Sequence, residues 1–186
     1  RFWLKEFGIE GDYVIHPVEP DNAPAFFASL ATSGFVGCNV TVPHKEVAFA
    51  ACDRRDKAAS ATGALNTIWL DNGKLVGSNT DAAGFLANLD EETPGWDEKP
   101  GEAIVLGAGG AARAIVWALI TRGFAPVHVV NRSVDRSVTL AERFGPRVRP
   151  AAWSDLPSLL RRARFLVNTT TLGMAGQPPL KLDLTP

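Results

Sequence analysis

The sequence predicts an α/β fold in two lobes: an N-terminal α/β lobe followed by a doubly wound parallel sheet. Three observations lead there. A short apolar run at 103–106 ends in a glycine turn and opens into a helix-period stretch. Beyond it, apolar strands alternate with helical patterns, the arrangement of parallel βαβ units. Ahead of it, a polar segment at 90–101 holding Pro94, Gly95 and Pro100 separates off a different pattern of helices, short strands and one hairpin.

Taken in order, residues 1–8 read as the end of a helix stopped by Gly8. A strand is expected at 13–18, bounded by Pro17 and Pro20. Helical spacing of Phe26, Phe27 and Leu30 marks 23–32. A strand follows at 35–40, then a helix to about residue 51 with Pro43 in its first turn. A second helix is expected at 53–59, leading to Gly63. Residues 66–70 and 74–77 form a hairpin around Asp71-Asn72-Gly73. The helix at 82–89 precedes the polar segment, and the lobes are divided as 1–81 and 82–186. The second lobe reads as strand 102–106, helix 110–121, strand 126–130, helix 134–143, a strand near Val148, helix 155–162 and strand 164–168.

Composition narrows the function. The 186 residues are 46% hydrophobic and 21% charged, ordinary for a globular protein. A net charge of -1 gives no support for a nucleic-acid or anionic-membrane partner. No apolar run is long enough to span a bilayer, and there is no secretory signal pattern. Cys38 and Cys52 match no zinc or redox spacing, so both are read as reduced, with the cytoplasm as the default compartment. His16, His44 and His128 are scattered without metal-ligand spacing, and no metal is expected. The chain opens on Arg1 within an apolar helical pattern and stops soon after a strand-like run at its other end, so a fragment of a longer protein is expected.

The glycine turn carries the first functional signal. Gly107 permits a tight turn, and Gly109 lets the backbone approach a pyrophosphate without an intervening Cβ. The following helix offers unpaired N–H groups and the positive end of its dipole. Ala112 takes the third glycine position of the fingerprint. Glycine turns also join strands to helices with no ligand present. After the second strand, where an NAD site places a carboxylate for the ribose 2′-hydroxyl, this chain has Asn131-Arg132-Ser133, with Arg136 one turn later. Two guanidinium groups suit a 2′-phosphate, so NADP(H) is the expected cofactor, the alternative being a pair of solvated surface arginines.

Three stretches of the first lobe present amides, hydroxyls and charge at strand ends, where open α/β sheets bind ligands: 39–45, 63–67 and 77–81. Lys45 falls in the first turn of its helix, where a cation opposes the dipole. A local choice that costs stability marks a functional position, although an exposed lysine offset by Glu46 has the same pattern. Asp81 is read either as a charged site residue or as an N-cap for the helix after it. Asn66 either serves a ligand or satisfies hairpin backbone groups.

Six motifs occur in order: Asn-Val-Thr-Val-Pro-His-Lys at 39–45, Gly-Ala-Leu-Asn-Thr at 63–67, Asn-Thr-Asp-Ala-Ala-Gly at 79–84, Gly-Ala-Gly-Gly-Ala-Ala at 107–112, Asn-Arg-Ser at 131–133 and Asn-Thr-Thr-Thr-Leu-Gly-Met at 168–174. Together they resemble the shikimate dehydrogenase family over nearly the whole chain. The resemblance implies a Rossmann-type NADP lobe and reversible reduction of 3-dehydroshikimate to shikimate, a step of aromatic amino-acid biosynthesis. It implies Lys45 and Asp81 as the catalytic pair, with Asn39, Thr41, Lys45, Asn66 and Asp81 around the substrate. Gly107, Ala108, Gly109, Gly110 and Ala111 would hold the pyrophosphate. Asn131, Arg132, Ser133 and Arg136 would hold the 2′-phosphate end, and Thr170 would lie near the cofactor. A family serine pair near the N-terminus and a C-terminal segment with a substrate-binding glutamine have no counterpart, so weak substrate binding by this chain alone is expected. Oligomeric state, monomer or homodimer, is left open. A lysine ammonium is the acid form at neutral pH, so the reverse oxidation is expected to speed up in alkali.

Overall fold

The computed structural model describes residues 2–184; the parts of the terminal readings that fall on Arg1, Thr185 and Pro186 lie outside the described residues. The first lobe begins with α1 (Phe2–Glu6) and an extended run to a single 3-10 turn, Pro20–Asn22. The strand expected at 13–18 does not form. Alternation supplies β propensity, but a strand also needs a neighbour for its ladder. Side-chain bonds tie the run down instead: Tyr13 Oη donates to Asn39 Oδ1 at 3.0 Å, and His44 Nε2 bonds Val18 O at 2.8 Å.

Next come α2 (Ala23–Ser29), continued by a 3-10 turn at Leu30–Thr32, then β1 (Gly37–Asn39), α3 (Lys45–Ala51), β2 (Arg54–Arg55), α4 (Lys57–Thr62), β3 (Thr67–Asp71) and β4 (Lys74–Ser78). Ala23, Phe27 and Leu30 fall on one helical face and are buried with Ala48, Leu65 and Ile68. The sheet runs β1-β3-β4-β2, with β2 parallel to β4 and the other pairs antiparallel. The predicted hairpin is present, and Asn72 and Gly73 have φ of 51° and 76°, as a two-residue type I′ connection requires.

Two details differ from expectation. Pro43 lies in a turn before α3, closed by His44 N to Thr41 O at 2.9 Å, and not in the helix. The helix expected at 53–59 starts later, at Lys57, with Asp56 as its N-cap accepting from Ala59 N at 2.6 Å. Arg54 and Arg55 form β2 instead, because parallel pairing with Val76 and Gly77 outcompetes a helical start.

Helix α5 (Asp81–Glu92) leads into the second lobe. There β5 (Ala103–Leu106), α6 (Gly110–Thr121), β6 (Val127–Val130), α7 (Val134–Phe144), β7 (Val148–Ala151), α8 (Leu156–Leu160) and β8 (Phe165–Asn168) follow the predicted order. All pairs are parallel, in the order β7-β6-β5-β8. Every residue of β5 is buried. Ala103 and Val105 face the α6 and α7 side, with Val116, Leu119 and Leu140; Ile104 and Leu106 face α8, with Leu156 and Leu159. That alternation is what a sheet covered on both faces demands. Each fully buried aliphatic side chain of this kind contributes about 1.5–3 kcal/mol.

The segment at 90–101 is anchored. Trp96 stacks on Phe124 at 5.6 Å and donates to Asp90 at 3.0 Å, while Arg122 pairs with Asp90 and Asp97. Ala82 of α5 packs on Ala114 and Ala118 of α6, small side chains that let the two helices lie close.

Candidate functional site

Lys45 and Asp81 are brought to one point by two helix starts. Lys45 is the first residue of α3, and its carbonyl accepts from Leu65 N at 3.0 Å, which ties α3 to the 63–67 stretch. Asp81 is the first residue of α5, while Thr80 occupies the N-cap position. The N-cap reading of Asp81 is therefore not what the fold uses, and its carboxylate is free to turn toward the lysine. Lys45 Nζ lies 2.5 Å from Asp81 Oδ2, with side chains 12% and 26% exposed. This opposite charge offsets the unfavourable dipole position of the lysine.

Asn66 completes the cluster. Its Nδ2 donates to Asp81 Oδ1 at 2.8 Å, and its Oδ1 accepts from Thr80 N at 3.1 Å and from Thr67 Oγ1 at 3.0 Å. Buried Asn79 braces the same loop, donating to Ala64 O at 2.8 Å and accepting from Asp81 N at 3.0 Å. Asn39 joins at one remove, through its Nδ2 donating to Thr67 Oγ1 at 3.3 Å. Thr41 stands apart from these bonds. It lines a cavity of about 160 Å³ with Asn39, Tyr13, His16, Phe26, Phe35 and His44, whose lining does not include Lys45 or Asp81.

The glycine turn lies directly against this cluster. Gly107 has φ +104°, and a Cβ there would sit 2.7 Å from Thr169 Oγ1 and 3.2 Å from Thr170 Cγ2. Thr170 is thus beside the turn, its N and Oγ1 both held by Asn168 Oδ1, at 3.0 and 2.7 Å. The Cβ position of Gly109 is open, with nothing within 4 Å. A Cβ on Gly110 would meet Lys45 Cβ at 3.1 Å and Cδ at 3.3 Å, so the lysine stem crosses the start of α6. The ladder of α6 begins with Arg113 N to Gly109 O at 3.1 Å, leaving the amides of Gly110, Ala111 and Ala112 ahead of it. Ala108 and Ala112 are buried, and Ala112 packs α6 to the sheet.

At the end of β6, Asn131 Nδ2 donates to Ser133 O at 2.9 Å and shapes the loop. Arg132, Ser133 and Arg136 are exposed there. Arg132 thus sits in the loop after β6 and Arg136 in the first turn of α7, both distant in sequence from the lysine.

Two arginines that the sequence does not single out join the lobes. Arg113 of α6 donates to Glu46 Oε2 at 2.8 Å and to Thr62 O at 3.3 Å. Arg143 of α7 donates to Ala61 O at 2.7 Å and to Ser60 O at 2.5 Å. A signal for Arg113 existed, a single charged residue in the otherwise uncharged stretch 110–121. Among the described residues no three His, Cys, Asp or Glu side chains group as metal ligands, and no helix is long and apolar enough to cross a membrane.

An α/β lobe that sets a lysine–aspartate pair against the glycine turn of a doubly wound parallel lobe defines a two-lobed protein with a Rossmann-type domain. Residues 1–68 match the shikimate dehydrogenase substrate binding domain, and residues 92–173 match shikimate / quinate 5-dehydrogenase. The chain belongs to the shikimate dehydrogenase family. It is 54% identical to shikimate dehydrogenase (NADP(+)) of Azorhizobium caulinodans, over 99% of this chain and 66% of that protein. Among solved structures, shikimate 5-dehydrogenase of Thermus thermophilus in complex with NADP(H) and shikimate is 37% identical, with a TM-score of 0.76 over 95% of this chain and 65% of that one. Quinate dehydrogenase of Corynebacterium glutamicum in complex with NAD is 28% identical, with a TM-score of 0.75 over 86% of this chain and 58% of that one. The chain spans 66% of the length of the Azorhizobium caulinodans relative and 64% of that of shikimate dehydrogenase (NADP(+)) of Brucella abortus.

Proposed function

We propose that this chain carries the catalytic pair and cofactor turn of an NADP-dependent shikimate dehydrogenase, which interconverts 3-dehydroshikimate and shikimate in aromatic amino-acid biosynthesis. Residues 1–81 serve as the substrate lobe and 82–186 as the cofactor lobe. The single observation that carries this is the Lys45–Asp81 pair at 2.5 Å, with the lysine stem lying on Gly110 of the cofactor turn.

The residues present fit the cofactor. The open face of Gly109 and the α6 amides ahead of the ladder form a cradle for a pyrophosphate at residues 107–111. Arg132 and Arg136, exposed beside Asn131 and Ser133, suit a 2′-phosphate. Thr170, packed against Gly107, borders the same turn. When bound, NADPH supplies the hydride.

Negative charge grows on the carbonyl oxygen as the hydride adds, and a positioned acid must meet it. Lys45 Nζ does so, donating a proton to that oxygen while its charge stabilises what has developed. Asp81 aims the ammonium, and Asn66 aims Asp81 through the bond to Oδ1. In the oxidising direction the neutral amine takes the hydroxyl proton. Asn66 and Asp81, with Asn39 and Thr41 farther along the same edge, serve the substrate hydroxyls. The free thiols Cys38 and Cys52 favour a cytoplasmic setting.

The test is turnover by the protein expressed from its complete reading frame, with shikimate or quinate and NADP or NAD in all four combinations. Fastest turnover with shikimate and NADP is expected. Preference for quinate and NAD would replace the assignment with a quinate dehydrogenase. Binding of NADPH with no turnover would mark a non-catalytic relative.

A further inference from the structure

We propose that Arg113 is a positioning residue for Lys45, tying the first turn of α6 to the first turn of α3 so that the ammonium keeps one place relative to the cofactor turn. The inference rests on the function proposed above and deepens it.

The geometry is specific. Glu46 follows Lys45 in the same turn of α3, so a bond to Glu46 sets the rotation and height of that turn. Arg113 makes that bond at 2.8 Å from a side chain only 12% exposed. It stands in the first turn of α6, where a cation opposes the helix dipole, and its buried Nε has no partner. A surface ion pair gives too little to compensate for such a placement. A bond that holds two functional turns together explains why it persists.

The second guanidinium nitrogen extends the clamp. Arg113 bonds Thr62 O, and Arg143 bonds Ala61 O and Ser60 O, so three consecutive carbonyls at the C-terminal end of α4 are held from the second lobe. Those carbonyls are the negative end of a helix and favour cations. A Cβ on Gly63 would lie 2.6 Å from the Arg143 guanidinium carbon, so the chain leaves room for this contact. Both terminal nitrogens of Arg113 are engaged toward α3 and α4, which leaves them turned away from a pyrophosphate at 107–111. Its part is therefore geometric.

The experiment compares Arg113→Met and Arg113→Lys with the wild type, each expressed from the complete reading frame. Because misplacing a reacting group by about 1 Å costs up to ~100-fold, Arg113→Met is expected to lower kcat by about 10- to 100-fold. Both KM values and the NADPH Kd, read from tryptophan fluorescence, should stay within about threefold. Arg113→Lys should recover part of kcat. Hydrogen exchange should show lost protection at 45–51 with protection kept at 114–121. A tenfold weaker NADPH Kd with kcat unchanged at saturation would make Arg113 a cofactor ligand and overturn the proposal. Unchanged kcat and unchanged exchange would also overturn it. If Arg113→Met does not fold, Glu46→Gln, which keeps size and removes the charge, must lower kcat in the same way or the proposal fails. A wild type without shikimate turnover would refute the proposed function, and the exchange comparison would still decide the clamp.

Discussion

Replacing Lys45 by Met removes the ammonium and keeps a stem of similar length against Gly110. The pair it breaks is short, 2.5 Å, and its lysine side chain is 12% exposed. Losing a positioned general acid costs roughly 10²- to 10⁴-fold in rate, or about 3–5 kcal/mol. The Asp81 carboxylate then faces the growing negative charge without its cation. Two like charges ~4 Å apart at an effective dielectric of about 20 repel by roughly 4 kcal/mol. The two effects overlap and push the same way, so kcat should fall toward the ~10⁴-fold end of that range. The ground state suffers less, because Asn66 Nδ2 still donates to Asp81 at 2.8 Å. A partly exposed pair of this kind contributes about 1 kcal/mol, a shift of only a few degrees in Tm. The assay is steady-state turnover followed by nicotinamide absorbance in both directions, with melting curves alongside. The double variant Lys45→Met/Asp81→Asn should lose less than the sum of the single losses, since it removes the repulsion. A steep rise in KM with kcat held would refute the acid role and make Lys45 a binding residue.

Other outcomes follow from the same structure. Arg132→Ala with Arg136→Ala should weaken NADP binding about 10- to 100-fold and leave NAD binding unchanged, measured by fluorescence titration with each cofactor. Equal losses with both would place the arginines elsewhere than at a 2′-phosphate. Gly107→Ala puts a side chain at φ +104° and within 2.7 Å of Thr169 Oγ1. It should destabilise the fold by about 1–3 kcal/mol in denaturant titration, and an unchanged midpoint would contradict the packing of the 168–174 loop on the turn. Burial pushes the Cys52 thiol up to about 11, with the Arg55 charge opposing and the Cys38 and Asp53 charges adding to the rise. Its neutral form is thus favoured by the fold. That share of stability is full below the unfolded thiol pKa of about 8.5 and is lost as pH rises toward the folded value. Cys52→Ala should flatten the alkaline decline in Tm, and at about pH 8 native Cys52 should resist alkylation until the protein unfolds.

The sequence by itself determined the second lobe almost completely. Apolar runs at 103–106 and 126–130, the glycine turn between the first of them and its helix, and the spacing of Ile115, Val116 and Leu119 are local patterns, and strands buried on both faces leave no other choice of period. The Asn-Gly hairpin was legible for the same reason, since the positive φ at Asn72 and Gly73 is written in the residue types. Tertiary structure decided what depends on a distant partner. The run at 13–18 has the composition of a strand but no neighbour to complete a ladder, and Arg54–Arg55 becomes β2 only because β4 lies beside it. Asp81 is a plausible cap in sequence, yet Thr80 takes that place and the carboxylate turns to a lysine 36 residues away. Arg113 and Glu46 are 67 residues apart and meet only when the lobes do. Periodicity records which face of an element is buried. A hydrogen bond between two elements is fixed by where whole helices and strands come to rest, and no local pattern in the chain encodes that.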